Sequence, residues 1–435
     1  MGTLAYHFLY RAVPIPSLTG GIVALREKAN PYNQSLSGGI VMRKLFNVGF
    51  WGAIFLFASV HAYSQKIETI DGVRIVHNEK GDKWGNKPEI SIKLLRTIGD
   101  IDTEDENLAF NTPSDIMMDE AGNIYILDSS NQRIQKFSPD GKYLATIGRK
   151  GQGPGEFENP TSFDIDPKGF LYVLDTSQNR IQVLKPDGGE FKTIQTTGLG
   201  IGRIRLLKSG LLATTRAVNW EREYVKGKSL PKLIRLLDLQ LKIKNEFGEV
   251  FDFEEIMTNQ FGNSAQVEVD KDDNIYLEFH YQNRIEKYSP NGKLLWRAER
   301  PLNFGTKPIE KGKIETTANT RKYQSPKMNM CSNGIATDEK NRVWILTMNR
   351  QLKDEEKVYT SVSGGPSGIT RKIVGNTDLR TTNAYKLEVF DSSGILLGEI
   401  PIGHFADDIR ILRDNLFLLD RMRGVKYYQY KIAEN

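Results

Sequence analysis

The feature that most constrains the fold is a segment that the chain repeats. Residues 123–141 read NIYILDSSNQRIQKFSPDG, and 47 positions later residues 170–188 read FLYVLDTSQNRIQVLKPDG. A third copy, offset from the first by 151 positions, reads NIYLEFHYQNRIEKYSPNG. A period of about 40 to 50 residues indicates units that bury their apolar faces only by stacking on one another. The fold is therefore expected to be an array of one repeated element.

Each copy divides into four short apolar runs separated by turn residues. In the first copy the runs are DIMMD, NIYILD, RIQKFS and YLATIG, which are rich in residues that favour strands. The turn SPDG supplies Pro139 with a fixed φ and Gly141 with access to the left-handed region. These features predict strands a, b, c and d of an antiparallel sheet, with a tight hairpin between c and d.

Three weaker copies lie between and after the clear ones, so the count reaches six. The last copy ends after its third strand, which would leave an exposed sheet edge. The segment Ile90–Gly99 resembles a fourth strand and has no first three strands of its own. The sequence thus predicts an all-β fold over residues 90–435, a six-bladed β-propeller whose last blade is closed by the N-terminal strand.

The repeat resembles the NHL repeat family. The matching positions in the first copy are Pro113, Asp119, Gly122, Asp128, Asn131, Arg133 and Gly141. The linker GRKGQGPGEFENP is similar to the family's connection to the next blade, whereas Gln132 and Asn179 stand where the family often has His. The chain as a whole resembles exported bacterial six-bladed propellers, most of which have no assigned activity.

The N-terminal part of the chain is predicted to lie outside the propeller. Residues 48–60, VGFWGAIFLFASV, follow Arg43 and Lys44 and precede small residues, which is typical of a signal peptide over 42–64. A retained membrane anchor is the alternative, but the run is shorter than the roughly 20 residues of a spanning helix. Residues 1–41 are read as an over-long start and 65–89 as an N-terminal extension. The protein is therefore expected in the periplasm, at the cell surface or outside the cell.

The charge balance argues against one class of binding partner, and the cysteine count excludes an internal disulfide. Residues 65–435 carry 54 Lys and Arg against 53 Asp and Glu, which gives little support to nucleic-acid binding. Cys331 is the single cysteine, so an internal disulfide is ruled out. We expect a monomer stabilised by its core, with no stable membrane insertion after signal cleavage.

Polar residues that recur in the first two copies are expected to maintain turns. Asp128 and Asp175 end strand b, and Arg133 and Arg180 follow five residues later. The carboxylate can accept backbone N–H groups of the b–c turn, and the arginine can pair with it. A unique binding site should instead be found where the repeat is broken.

Three long insertions break the repeat, Val218–Pro231, Arg300–Met330 and Arg350–Asn383. Strand order places all of them on the face that carries b–c and d–a connections, and such loops commonly carry function. Tolerated surface insertions without a role are the alternative. The ligand-binding candidates on this face are Arg149, Trp220, His280, Tyr281, Arg350, His404, Arg421 and Arg423. They favour a non-enzymatic binding or scaffolding role toward a protein, peptide or glycan.

The competing hypothesis is a metal-dependent enzyme with its site at the propeller axis. His77, His280 and His404 could form a three-histidine zinc site of the amidating-lyase type by count. A lactonase of the gluconolactonase type would use acidic ligands, and the acidic residues near strand a are Asp164, Glu268, Asp407 and Asp408. No catalytic residue is assigned and no motif for a cofactor is present, so a divalent metal at the axis is the one cofactor retained as an alternative.

Overall fold

The repeats form six antiparallel blades. The computed structural model describes residues 65–78, 83–85, 87–225, 227–317, 321–365 and 368–435. In blade 1, strands a to d are Pro113–Met118, Ile124–Asp128, Arg133–Phe137 and Tyr143–Ile147. In blade 2 they are Pro160–Ile165, Leu171–Asp175, Arg180–Leu184 and Glu190–Gln195. The four strands pair in chain order, as the repeat predicts.

The weaker copies fold in the same way. Blade 3 contains Ile201–Leu206, Leu212–Arg216, Ile234–Leu237 and Ile243–Phe247. Blade 4 contains Ala265–Val269, Ile275–Phe279, Ile285–Tyr288 and Leu294–Glu299. Blade 5 contains Ser332–Thr337, Val343–Met348, Thr381–Phe390 and Leu396–His404.

Blade 6 closes the ring with a strand from the other end of the propeller. Its strands a to c are Asp408–Leu412, Asn415–Asp420 and Lys426–Glu434. Strand Ile90–Ile98 pairs antiparallel with Lys426–Glu434, from Ile90 opposite Glu434 to Ile98 opposite Tyr427. The predicted closure is thus confirmed.

Glycine turns and interblade packing explain why these strands assemble. Gly141, Gly188 and Gly292 have φ of 86°, 87° and 83° in the c–d turns, the left-handed region that glycine adopts without strain. Between blades 1 and 2, Leu127 and Phe163 belong to one buried cluster. Each blade therefore hides its apolar face only against its neighbour.

Short helices, 3₁₀ turns and hairpins lie in the connections between the blade strands. The helices are Trp220–Glu223 and Ile256–Gly262, and the 3₁₀ turns are Ser129–Asn131 and Asp354–Glu356. Two hairpins lie in the insertions, Lys313–Thr316 with Arg321–Gln324 and Tyr359–Gly365 with Gly368–Val374. A short parallel ladder joins Arg149–Lys150 to Glu156–Phe157. The predicted over-long start and signal peptide lie outside the described residues, and no described helix is long and apolar enough to span a membrane.

The N-terminal extension forms two further strands of blade 4, which the sequence did not predict. Lys66–Ile70 and Val73–His77 form a hairpin, and its second strand runs parallel to Leu294–Glu299. Further along, Trp84 is buried and its backbone N–H donates to Leu397 O at 2.9 Å. A Cβ at Gly398 would overlap the Trp84 ring. The extension is therefore anchored on both blade 4 and blade 5.

The hairpin over blade 4 is expected to loosen as pH rises. His77 lies between two carboxylates, with Nε2 2.8 Å from Glu68 Oε1 and Nδ1 2.9 Å from Glu299 Oε2. Both ring nitrogens can donate only in the imidazolium form, and the hydrogen bonds to Glu68 and then Glu299 raise the pKa of His77. The stabilisation is fully present below the ordinary histidine pKa of about 6.5 and is lost as pH rises through the raised pKa. Hydrogen exchange of residues 66–77 should accelerate over that window beyond its intrinsic pH dependence.

His77→Gln is the matched control, because glutamine does not titrate. In that variant, the excess acceleration should disappear. An identical pH profile in the two proteins would contradict the assignment to His77.

Candidate functional site

Charged side chains from four blades meet at the propeller axis. Arg205 of blade 3 donates to Asp115 of blade 1 through Nη1 and Nη2, at 3.1 and 3.2 Å. Arg410 of blade 6 donates to the same carboxylate through Nε and Nη2, at 3.3 and 3.1 Å. Glu268 of blade 4 pairs with Arg410 and lies 3.8 Å from Arg205 Nε. These four residues form an axial ring in which the sign of charge alternates.

A second ion pair crosses the axis beside this ring. Arg203 of blade 3 donates to Asp408 of blade 6 at 2.6 Å and to Gln266 Oε1 at 2.9 Å. In a ring of six blades, blades 3 and 6 lie opposite each other. The ion pair therefore ties the two halves of the propeller together across its centre.

Asp164 has a different environment from the other axial carboxylates. Its oxygens accept backbone N–H groups of Leu206 and Ile165, each at 2.8 Å. Burial raises the pKa of Asp164 to about 6. Among the described residues, no guanidinium hydrogen-bonds to it. Burial also raises the pKa of Glu268, to about 7, so two axial carboxyls have pKa values above their ordinary range.

The axial donor set does not fit a divalent metal. Glu268 and Asp408, two of the acidic residues considered as lactonase-type ligands, are engaged by arginines. Asp407 instead accepts the Arg421 backbone N–H at 2.8 Å. Three guanidinium groups close to the carboxylates would repel a cation. Within the described ranges, no group of three His, Cys, Asp or Glu is arranged to hold a metal.

The three histidines also have separate surroundings, contrary to a shared zinc site. His77 lies between Glu68 and Glu299 on the outside of blade 4. The Nε2 atom of His280 is 3.7 Å from Glu278 Oε2. His404 stacks on Tyr428 at 3.8 Å between ring centroids and contacts the Tyr430 hydroxyl at 2.7 Å.

The three insertions contact one another and form the insertion surface, defined as residues 218–231, 300–330 and 350–383. Arg321 of the second insertion pairs with Glu221 of the first at 3.0 Å. Gln351 of the third donates to Met330 O at 2.7 Å and accepts the Met330 N–H at 3.0 Å. The one-sided placement expected from strand order therefore agrees with the observed contacts.

Two of the predicted ligand-binding arginines anchor the third insertion instead. Arg350 donates to both oxygens of Glu356, each at 2.6 Å. This hydrogen bonding lowers the pKa of Glu356 to about 2. Arg423 is buried, packs 3.4 Å from the Phe405 ring centroid and donates to Glu356 O at 2.5 Å. The Arg350 guanidinium is thus paired within the protein, and Arg423 is only 3% exposed, which leaves Arg423 no accessible face for a ligand.

The other candidates have separate partners within the protein. Trp220 is buried, with 5% of its surface exposed, because it lies on the inner side of its short helix. Arg149 is exposed and pairs with Glu156 at 2.9 Å in the link between blades 1 and 2. Arg421 donates to Pro113 O at 3.2 Å. His280 and Tyr281 follow strand b of blade 4 and are partly exposed. Arg149, Arg421 and His404 thus contact different parts of the protein, and the ligand-binding role of these candidates stays a prediction.

Sequence reasoning missed Asp115, Arg203, Arg205 and Arg410. Each lies in a strand a. In the runs GRIRL and DIRIL, charged residues alternate with apolar ones, whereas Asp115 is the single charge of DIMM. The alternation shows that these side chains share one face of an innermost strand. It was the available signal for an axial cluster.

The repeated aspartates stabilise backbone turns, but not the turns that were predicted. Asp128 accepts the backbone N–H groups of Asn111 and Thr112, at 2.9 and 3.2 Å, in the segment that leads into strand a. Asp175 does the same for Glu158 and Asn159, at 3.1 and 2.9 Å. The expected pairing of each aspartate with the arginine five residues later is present. In both blades the carboxylate therefore binds backbone N–H groups at the entry to strand a, and in blade 1 it also accepts a hydrogen bond from Asn131 Nδ2 of the b–c turn, at 2.7 Å.

Asp128→Ala should lower the free energy of unfolding by about 1–3 kcal/mol, because it removes the buried carboxylate that accepts the backbone N–H groups of Asn111 and Thr112. Urea unfolding measures this loss. Asp187→Ala removes an exposed carboxylate of a c–d turn and should cost no more than about 0.5 kcal/mol. Equal losses in the two variants would refute the turn-anchoring role.

The closed ring and its repeat define the class of protein, and the comparisons identify the family. The chain belongs to the DUF5128 family of six-bladed β-propellers, whose model matches residues 100–345. Similar solved structures include a member of the DUF4221 family from Bacteroides vulgatus, at 11% identity and a TM-score of 0.48, covering 80% of this chain and 99% of that chain. No curated protein matches the sequence.

Two further structures are enzymes. Virginiamycin B lyase from Staphylococcus aureus has 13% identity and a TM-score of 0.41, covering 79% of this chain and 99% of that chain. A gluconolactonase from Xanthomonas campestris has 12% identity and a TM-score of 0.41, and the match covers 74% of this chain and 87% of that chain.

Proposed function

We propose that this protein is an exported, monomeric propeller of the NHL type that binds or scaffolds a protein, peptide or glycan without catalysis. The insertion surface is its binding face. It requires no cofactor, and its partner is not a nucleic acid. The observation that carries the proposal is the contact of three insertions, from blades 3, 4 and 5, on one side of the ring.

The anchoring of the third insertion supports this role. The Arg350–Glu356 pair and the hydrogen bond from Arg423 fix its base to the propeller. The hairpin Tyr359–Gly365 with Gly368–Val374 extends from that base. A projection on a fixed base loses less conformational entropy on binding than a free loop.

The competing role, a metal-dependent lactonase or lyase, has weaker support. It would need axial carboxylates that are free to bind a cation. Glu268 and Asp408 are instead paired with arginines.

Replacing residues 360–373 by a short Gly-Ser turn should weaken binding to the native partner while the propeller stays folded. The change removes the projecting hairpin and keeps Arg350, Glu356 and all blade strands. The partner is first identified by pull-down from envelope extract with the unaltered protein, and the two affinities are then compared by biolayer interferometry. We expect a loss of at least about tenfold, which corresponds to about 1.4 kcal/mol of binding free energy.

The control lengthens the c–d turn Ser138–Gly141 with the same Gly-Ser residues. In the structure this turn packs beside Arg96 of the outer strand of blade 6, away from the insertions. Binding should be unchanged in this variant. Equal weakening by both changes would refute a one-sided binding face.

A further inference from the structure

Charge is distributed unequally between the insertion surface and the rest of the protein. The three insertions contain 16 Lys and Arg against 8 Asp and Glu. The remainder of residues 65–435 contains 38 Lys and Arg against 45 Asp and Glu. Residues 65–435, which are almost neutral overall, therefore combine a basic insertion surface with an acidic remainder, and such a field attracts anionic partners.

Six of the seven basic side chains of the second insertion are exposed, and Arg300 is buried. The exposed ones are Lys307, Lys311, Lys313, Arg321, Lys322 and Lys327. Three of them have ion-pair partners: Lys311 with Glu254 at 3.6 Å, Arg321 with Glu221 at 3.0 Å and Lys327 with Glu310 at 3.9 Å. Exposed pairs of this kind contribute little and are readily exchanged.

The other three basic residues have no such partner. Among the described residues, no carboxylate oxygen lies within 4.0 Å of the amines of Lys307, Lys313 and Lys322. Lys313 and Lys322 belong to the two strands of one hairpin, where Lys322 faces Glu315. Their charges are directed to solvent and are available to an anion.

An aromatic ring lies among these charges. Tyr323 is 51% exposed, in the same strand as Lys322, with the Arg321 guanidinium 5.3 Å from its ring centroid. A tyrosine ring is apolar on its faces and polar at its hydroxyl. It can therefore cover the apolar face of a sugar while neighbouring amines bind that sugar's acidic groups.

The hairpin that carries these residues has a fixed base. The Gly312 N–H donates to Thr258 Oγ1 at 2.9 Å, and a Cβ at Gly312 would lie 2.5 Å from the Met257 Cβ. The helix Ile256–Gly262 beneath it is capped by Glu255, which accepts the N–H groups of Met257 and Thr258 at 2.9 and 2.7 Å. The charged hairpin is thus held against a capped helix.

We propose that the second insertion binds an acidic polysaccharide, a glycan chain bearing carboxylate or sulfate groups. This inference rests on the proposed function and narrows its ligand class. Five of the six exposed cations are lysines, which act as point charges and tolerate variable spacing of the anions. Lysine is depleted in protein–protein interfaces, and the exposed apolar side chains Ile309 and Tyr323 stand among charges rather than forming the apolar face that enters a membrane.

The test uses the purified protein with defined probes. The probes are polygalacturonate, dextran sulfate, neutral dextran and vesicles of phosphatidylglycerol, each at low and high salt. The protein should bind polygalacturonate or dextran sulfate more tightly than neutral dextran and the vesicles, and salt should weaken that binding. Combined Lys307→Gln, Lys313→Gln and Lys322→Gln should weaken it by about tenfold, and Tyr323→Ala should weaken it further.

A matched variant separates the site from net charge. Combined Lys142→Gln, Lys185→Gln and Lys293→Gln removes three exposed lysines from the c–d turns and should leave binding unchanged. Equal loss in both triple variants, preference for the vesicles, or no preference for the acidic polysaccharides over neutral dextran would each overturn the inference. In the last case, the proposed function still stands if trimming residues 360–373 weakens binding of the native partner. The proposed function fails, independently of the inference about acidic polysaccharides, if trimming residues 360–373 leaves binding of the native partner unchanged while the acidic polysaccharides bind.

Discussion

Deletion of Ile90–Ile98 is expected to abolish the monomeric fold. The strand supplies the fourth strand of blade 6 through pairing that extends from Ile90–Glu434 to Ile98–Tyr427. Ile90 and Ile98 are each 2% exposed, and without them the strand Lys426–Glu434 becomes an open edge that invites aggregation. The cost should be comparable to a whole domain's stability, about 5–15 kcal/mol. Size-exclusion chromatography and a thermal melt measure the outcome.

Deletion of Lys66–His77 is the control for this experiment. It removes two strands from the outside of blade 4 but breaks no part of the ring. This variant should remain a folded monomer with a modest loss of thermal stability. If the Ile90–Ile98 deletion also gave a monomer with an unchanged melting temperature, the ring-closing role would be wrong.

Asp115→Ala should be the most destabilising single substitution at the axis. Asp115 is buried and accepts hydrogen bonds from Arg205 and Arg410, and from Ser162 Oγ at 3.1 Å. Its removal leaves two guanidinium groups without their shared carboxylate, which typically costs about 3–5 kcal/mol for a buried ion pair. Urea unfolding should report this loss as a lower midpoint.

Asp140→Ala tests whether the effect belongs to the axis. Asp140 is also paired with a cation, Lys142 at 3.1 Å, but its side chain is 57% exposed in a c–d turn. Its loss should change the free energy of unfolding by no more than about 0.5 kcal/mol. Comparable losses of unfolding free energy in the two variants would show that the axial ring contributes no more to stability than an exposed ion pair does.

The fold was predictable because its signals are local and repeated. The turn SPDG and its copies require a left-handed glycine, and Gly141, Gly188 and Gly292 adopt that conformation. The last copy lacks a fourth strand, and the segment that begins at Ile90 has no partner strands of its own. Because an open sheet edge is unfavourable, the sequence predicted that this segment supplies the missing strand. The N-terminal hairpin was missed because VRIVH can pair with any exposed edge. The hydrogen bonds from Asn78 Nδ2 to Glu299 O of blade 4 and to Gly394 O of blade 5, each at 3.0 Å, select this edge.

The candidate site was predictable only in part. The sequence identified the insertions and their common side, because chain order fixes the side on which a b–c or d–a connection leaves a blade. It also selected Arg350 and Arg423 as ligand-binding residues. Both proved to hold Glu356, a residue within the insertion that no repeated pattern marks.

The sequence by itself determined the number of blades, the turns between strands and the closure of the ring, since each depends on neighbouring residues or on a missing copy. Only the tertiary structure decided which charges meet at the axis. Asp115 and Arg410 are 295 positions apart, and the sequence of neither strand shows that the two side chains meet. A carboxylate there pairs with the guanidinium that the packing of six blades brings to it, because ion pairing requires proximity and has no local signature in the chain.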